Sequence, residues 1–121
     1  MADKKLYTIK EGVTVTDEVM GIIAGLAATE VNGVSSLAGN LKNDMIPKAG
    51  KSKIAKAVKL KNNEDGSVSV RLSVNIEYNF VIPEVCKSVQ DKVKTNIETM
   101  TGITVDEVDI HIATVSGTGK E

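Results

Sequence analysis

The clearest pattern in the chain is a strict alternation. Val68, Val70, Leu72, Val74, Ile76, Tyr78 and Phe80 take the even positions, and Ser67, Ser69, Arg71, Ser73, Asn75, Glu77 and Asn79 take the odd ones. A period of two with one apolar and one polar side predicts a strand with one face on a core and the other in water. Helices are then expected on one face of the sheet only. Just upstream, Val58 and Leu60 alternate with Lys59 and Lys61, and Asn63-Glu64-Asp65-Gly66 lies between the two alternating runs. An Asp-Gly pair in that place predicts a hairpin.

Elsewhere the period changes. Val19, Ile22, Ile23, Leu26 and Ala27 recur at helical spacing and predict a helix to about Glu30 with that stripe inward. Thr16 is its N-cap, Asp17 and Glu18 meet the positive end of its dipole, and Asn32-Gly33 stops it. A second helix starts at Pro83, carries Val85, Cys86, Val89, Val93, Ile97 and Met100 as its apolar stripe, and ends at Thr101-Gly102. Lys87 and Asp91 on its wet side are spaced for an i,i+4 pair. Residues 12–15 and 34–37 read as short strands. The last strand, Ile103 to Val115, changes parity between Val105 and Val108, which predicts a bulge at Asp106-Glu107. From Ala38 to about Ser52 no period is found, and a long loop is expected.

The order β-α-(β)-β-β-α-β predicts an α/β fold of the α+β kind. It is a two-layer sandwich of a mixed, mostly antiparallel sheet with two helices on one face. Residues 12–115 form one domain between a polar N-terminal tail, 1–11, and a polar C-terminal tail, 116–121. Glu18-Val19 with Gly33-Val34, and Glu84-Val85 with Gly102-Ile103, suggest a weak internal pseudo-repeat.

Composition narrows the function. A chain of 121 residues with three aromatics builds an aliphatic core. A net charge of −1 argues against a protein that is a nucleic-acid clamp throughout, and it leaves self-association unopposed by charge. The one cysteine, Cys86, excludes an internal disulfide and fits a reducing compartment. No secretory leader is visible at the N-terminus. The longest apolar run, Val19 to Ala28, is ten residues, against roughly 20 for a spanning helix. A cytoplasmic chain with no membrane span is expected.

No catalytic set can be assembled. Ala49-Gly50-Lys51-Ser52 suggests a phosphate loop, but Met45 stands where the pattern needs glycine and no apolar strand leads in. His111 lies between Ile110 and Ile112 and so faces water with Asp109; without a second histidine, neither a metal nor a cofactor is expected. Cys86 reads as an inert buried thiol, although its place in a first helical turn could lower its pKa.

Three surfaces remain as candidates for interaction. Lys48, Lys51, Lys53, Lys56, Lys59 and Lys61 form a run with no acid between Met45 and Asn63. Such a run is either a solvated face or a patch for anionic lipid, nucleic acid or an acidic partner. The wet sheet face carries Arg71, Glu77 and His111 and no aromatic, which disfavours stacking of single-stranded bases. Gly21, Ala24, Gly25 and Ala28 form a small-residue stripe on the first helix. Each glycine costs a helix about 1 kcal/mol against alanine, so close approach must offset it, either inside the monomer or at an assembly face.

Four blocks then carry a resemblance. They are Gly-Val-Thr-Val-Thr-Asp-Glu-Val at 12–19, Ile-Ala-Gly-Leu-Ala-Ala-Thr-Glu-Val-Asn-Gly-Val at 23–34, Ile-Pro-Glu-Val-Cys-Lys-Ser-Val-Gln-Asp-Lys-Val-Lys at 82–94 and Met-Thr-Gly-Ile-Thr-Val-Asp-Glu-Val-Asp-Ile-His-Ile at 100–112. Together they resemble the alkaline shock protein family, the envelope stress response proteins of mostly Gram-positive bacteria. The resemblance spans about residues 12 to 115 and is poorest in the loop 38–57. Asn79 and Phe80 follow Tyr78 where the family usually has a glycine. It implies a non-enzymatic protein of cell-envelope homeostasis that self-assembles. Such a protein can be held peripherally at the inner face of the membrane by a small anchor protein. The alternative from the residues alone is a nucleic-acid-binding module using Lys48–Lys61.

Overall fold

The computed structural model describes residues 6–116; the tails 1–5 and 117–121 lie outside the described residues. In chain order the elements are β1 (Leu6–Lys10), β2 (Val13–Thr16), α1 (Asp17–Thr29), β3 (Val34–Leu37), a 3-10 helix (Asn43–Lys48), α2 (Lys51–Ala57), β4 (Val58–Asn62), β5 (Val68–Glu77), α3 (Ile82–Thr101) and β6 (Val105–Ser116). The mixed, mostly antiparallel α+β architecture expected from the order of elements is present.

β5 is the spine of the sheet. β3 and β4 lie end to end along one of its edges, both antiparallel: Leu37 pairs with Val74 and Val58 with Leu72. β6 runs parallel along the other edge from Val68↔Val105 to Glu77↔Ser116. The parallel pair needs a crossover, and α3 supplies it. The even residues of β5, from Val68 to Ile76, are buried under the helices. The predicted bulge is there, one extra residue between Val68↔Val105 and Ser69↔Glu107. A second bulge, between Val74↔Ile112 and Asn75↔Thr114, has no comparable signature in the sequence.

The local signals hold. Thr16 Oγ1 accepts from the Val19 amide at 3.2 Å, Gly102 closes α3 at φ 78°, and Lys87 meets Asp91 at 3.7 Å. The Asp65-Gly66 turn joins β4 to β5 as expected. There Asp65 accepts from the Ser67 hydroxyl and amide, and those bonds hold its carboxyl below the usual range.

Five expectations need correction. The tail assigned to residues 1–11 contains a strand: β1 pairs with β2 from Leu6↔Thr16, and Tyr7 is buried. Its five residues are too few to show a period, and the partner that buries Tyr7 is supplied by the fold. The loop 38–52 contains the 3-10 helix and the start of α2, so there are three α-helices among the described residues. Pro47 and Gly50 interrupt the pattern there without preventing two short turns. β5 ends at Glu77 because Asn79 takes a left-handed φ of 79° and turns the chain. The apolar stripe of α3 stops at Ile97, leaving Met100 exposed. Among the described residues β2 pairs only with β1, outside the main sheet, so the pseudo-repeat is not matched by topology.

Candidate functional site

α1 is the middle of the helical layer, with α3 on one side and the segment 42–57 on the other. That placement decides the fate of its glycines. A Cβ on Gly21 would lie 2.7 Å from Ile54 Cγ2, and one on Gly25 would lie 2.9 Å from Leu37 Cδ1 and 3.5 Å from Ile46 Cδ1. The two glycines, one helical turn apart, form a notch into which Ile54 of α2 and Ile46 of the 3-10 helix are seated. Gly21, Gly25 and Ala28 are therefore buried inside the monomer and are not an assembly face. The stripe also rotates: Met20 and Ala24 are fully buried while Val19 is 41% exposed. A helix covered on several sides has no single inward stripe.

The notch anchors the lysine-rich segment. Lys48 ends the 3-10 helix, Lys51, Lys53 and Lys56 lie on α2, and Lys59 and Lys61 lie on β4, all exposed. Among the described residues none of these six pairs with a carboxylate; the ion pairs Lys87–Asp91, Lys92–Glu30 and Lys94–Glu98 all involve α3. Lys53 and Lys56 rim a crevice of about 260 Å³ floored by Ala38, Gly39 and Leu41. Lys51 and Lys59 share a smaller crevice with Asp17 and Glu18. Gly50 is preceded by a 3-10 helix and not by a strand, so no phosphate loop is formed.

Arg71, Glu77 and His111 share the outer face of the sheet, but they do not converge. Arg71 stands between Lys59 on β4 and Asp109 on β6, and His111 stands beside Ser73. Glu77 is six residues further along β5, about 20 Å at 3.3 Å per residue. The face grades from lysines on β4 to Glu107 and Asp109 on β6. No group of three metal-ligating side chains exists among the described residues. Cys86 is half-buried, and burial pushes the pKa of its thiol up.

Alternation failed at Asn75. It sits on the polar side of β5 yet is only 5% exposed. Its Nδ2 donates to Ser36 Oγ at 2.9 Å and to the Leu37 carbonyl at 3.3 Å, while Oδ1 accepts from Thr114 Oγ1 at 2.9 Å. One carboxamide thus ties β3, β5 and β6 together, and the second bulge brings Thr114 into reach. Nearby, Tyr78, Val81, Ile82 and Phe80 form a run of exposed apolar side chains after β5, with Phe80 lying over Gly33. The Tyr78 amide donates to the Ser116 carbonyl at 2.7 Å, which sets exposed Val115 beside that run. Sequence reasoning counted Tyr78 and Phe80 as core strand residues and missed this end.

These features define a two-layer α+β domain with a lysine-rich flank, an acidic sheet edge and an apolar end. The chain belongs to the alkaline shock protein family, described as having a cell envelope-related function; its family model matches residues 5–117. Three uncharacterized proteins are similar to it. YqhY of Bacillus subtilis is 33% identical over 100 residues, covering 83% of this chain and 73% of YqhY. Spy1535 of Streptococcus pyogenes is 32% identical over 83% of this chain and 75% of its own length. YloU of Bacillus subtilis is 26% identical over 83% of this chain and 84% of its own. No solved structure matches. Among the described residues no helix is long and apolar enough to cross a membrane.

Proposed function

We propose that this protein serves cell-envelope homeostasis under stress without catalysis, by self-assembly and by contact with a small membrane-anchored protein that recruits it to the inner face of the membrane. Membership of a family with a cell envelope-related function supports the setting. The observation that carries the mode of action is the apolar end. Tyr78, Val81 and Ile82 are 55%, 55% and 40% exposed in the short stretch that leads from β5 into α3, and clustered exposed apolar surface marks an interaction site. A second copy is its first occupant, because a net charge of −1 sets up no repulsion between copies.

Sedimentation velocity over a range of concentrations tests this. The wild-type chain should form concentration-dependent oligomers, and Tyr78→Ser/Val81→Ser/Ile82→Ser should sediment as a folded monomer. A wild-type chain that stays monomeric, or a triple variant with an unchanged mass distribution, would refute self-assembly through this end. Recovery in the membrane fraction should fall when the anchor protein is removed.

A further inference from the structure

Charge is segregated in this molecule. Residues 42–61 hold seven lysines and one aspartate, a net +6, so the remaining residues carry −7. The basic stretch emerges between β3 and β4 on one edge of β5, while Asp106, Glu107 and Asp109 lie on β6 along the other edge. Ile46 and Ile54, seated on Gly25 and Gly21, fix the basic stretch rigidly against α1.

We propose that this lysine flank docks directly on an anionic lipid bilayer. Polybasic surfaces are drawn to anionic leaflets, and apolar side chains among the charges can enter the boundary between headgroups and acyl chains. Met45 is 45% exposed and Pro47 is exposed, both within the basic stretch. The crevice under Lys53 and Lys56 has an apolar floor of Ala38, Gly39 and Leu41. Two ammonium groups over such a floor suit a phosphodiester headgroup with hydrocarbon attached. A single-stranded nucleic acid would call for stacking side chains, and residues 42–61 contain no aromatic. With Asp106, Glu107 and Asp109 on the opposite sheet edge, the molecule is oriented with the lysine flank down. This contact is separate from recruitment by an anchor protein and from assembly through Tyr78, Val81 and Ile82, so either can fail without the other.

Flotation of the full chain with vesicles tests it. The chain should float with vesicles of phosphatidylcholine and phosphatidylglycerol, not with phosphatidylcholine alone, and added salt should release it. Lys48→Gln/Lys53→Gln/Lys56→Gln should weaken binding on the order of a hundredfold, about fivefold per lysine. The charge-matched Lys87→Gln/Lys92→Gln/Lys94→Gln variant on α3 should bind nearly as wild type, circular dichroism confirming the fold of both. The chain has no tryptophan, so Met45→Trp gives a single reporter whose emission should shift to the blue on anionic vesicles. Equal flotation of the two triple variants, absence of vesicle binding, or binding of random-sequence DNA or RNA in place of vesicles would each overturn the proposal.

Discussion

Ile54 Cγ2 occupies the space beside Gly21 so closely that a Cβ on the glycine would stand 2.7 Å from it. Two effects of Gly21→Ala oppose each other. Helix propensity gains about 1 kcal/mol, while overpacking against a stiff β-branched side chain costs about 1–3 kcal/mol. Since both Gly21 and Ile54 are buried, the second effect wins, and a net loss of about 1 kcal/mol is expected from urea unfolding. In an Ile54→Ala background the clash is gone, and the same substitution should become neutral or stabilising. A stabilising Gly21→Ala in the wild-type chain would contradict the notch.

The Asn75 carboxamide is a buried tie across three strands. Asn75→Ala leaves Ser36 and Thr114 to find other partners and should cost about 2–3 kcal/mol in chemical denaturation. Asn75→Asp should cost more at neutral pH, because it sets a buried charge against the Leu37 carbonyl in place of a donor. Part of that loss should return on acidification, as burial raises the carboxyl pKa and protonation removes the charge.

The Tyr7 hydroxyl is buried without a hydrogen-bond partner among the described residues. Burial first, and then the charge of Asp17, raises its pKa. The folded state therefore holds the phenol proton to higher pH than the unfolded state. Its contribution is intact below about pH 10, where an unfolded tyrosine begins to ionise, and is lost as pH rises through the folded value. Tyr7→Phe should be neutral or stabilising by about 1 kcal/mol at neutral pH. Its advantage should grow in thermal unfolding carried up to about pH 11. A parallel loss of stability in both proteins at alkaline pH would show that Tyr7 is not the group responsible.

α3 seals the start of the free edge of β6. Gln90 Nε2 donates to the Val108 carbonyl at 2.9 Å, Lys94 Nζ to the Val105 carbonyl at 3.3 Å, and Glu98 Oε2 accepts from the Val105 amide at 2.9 Å. These side chains satisfy groups that an edge strand otherwise offers to other chains. Glu98→Ala/Gln90→Ala should lower stability by about 1–2 kcal/mol. It should also speed hydrogen exchange at the Val105 amide more than at the Leu72 amide in the middle of β5. Unchanged exchange at Val105 would count against the seal.

Much of the fold was legible. The alternation over Val68 to Ile76, the Thr16 cap, the Gly102 stop, the Asp65-Gly66 hairpin and the bulge at Asp106 are local signals, each written in a few neighbouring residues. The candidate surfaces were legible in identity more than in location. The six lysines were found, and Lys59 and Lys61 were placed on a strand, as β4 bears out. The mounting of Lys51, Lys53 and Lys56 on α2 was not seen, since a helix of seven residues leaves too few turns for a period. The apolar end was missed because Tyr78 and Phe80 continue the parity of β5 past the point where Asn79 turns the chain.

The sequence by itself determined which residues prefer water, where α1 and α3 begin and end, and that two glycines in α1 demand close approach. Only the tertiary structure decided what approaches them. Ile46 and Ile54 come from a segment without periodicity, and they bury Gly21 and Gly25 because α1 is flanked on two sides. It also buried Asn75 on a face that alternation assigns to solvent, through bonds to residues about 40 positions away in the chain. The physical reason is common to both. A local period encodes which side of an element is apolar, whereas what covers that side depends on contacts made only when the chain is compact.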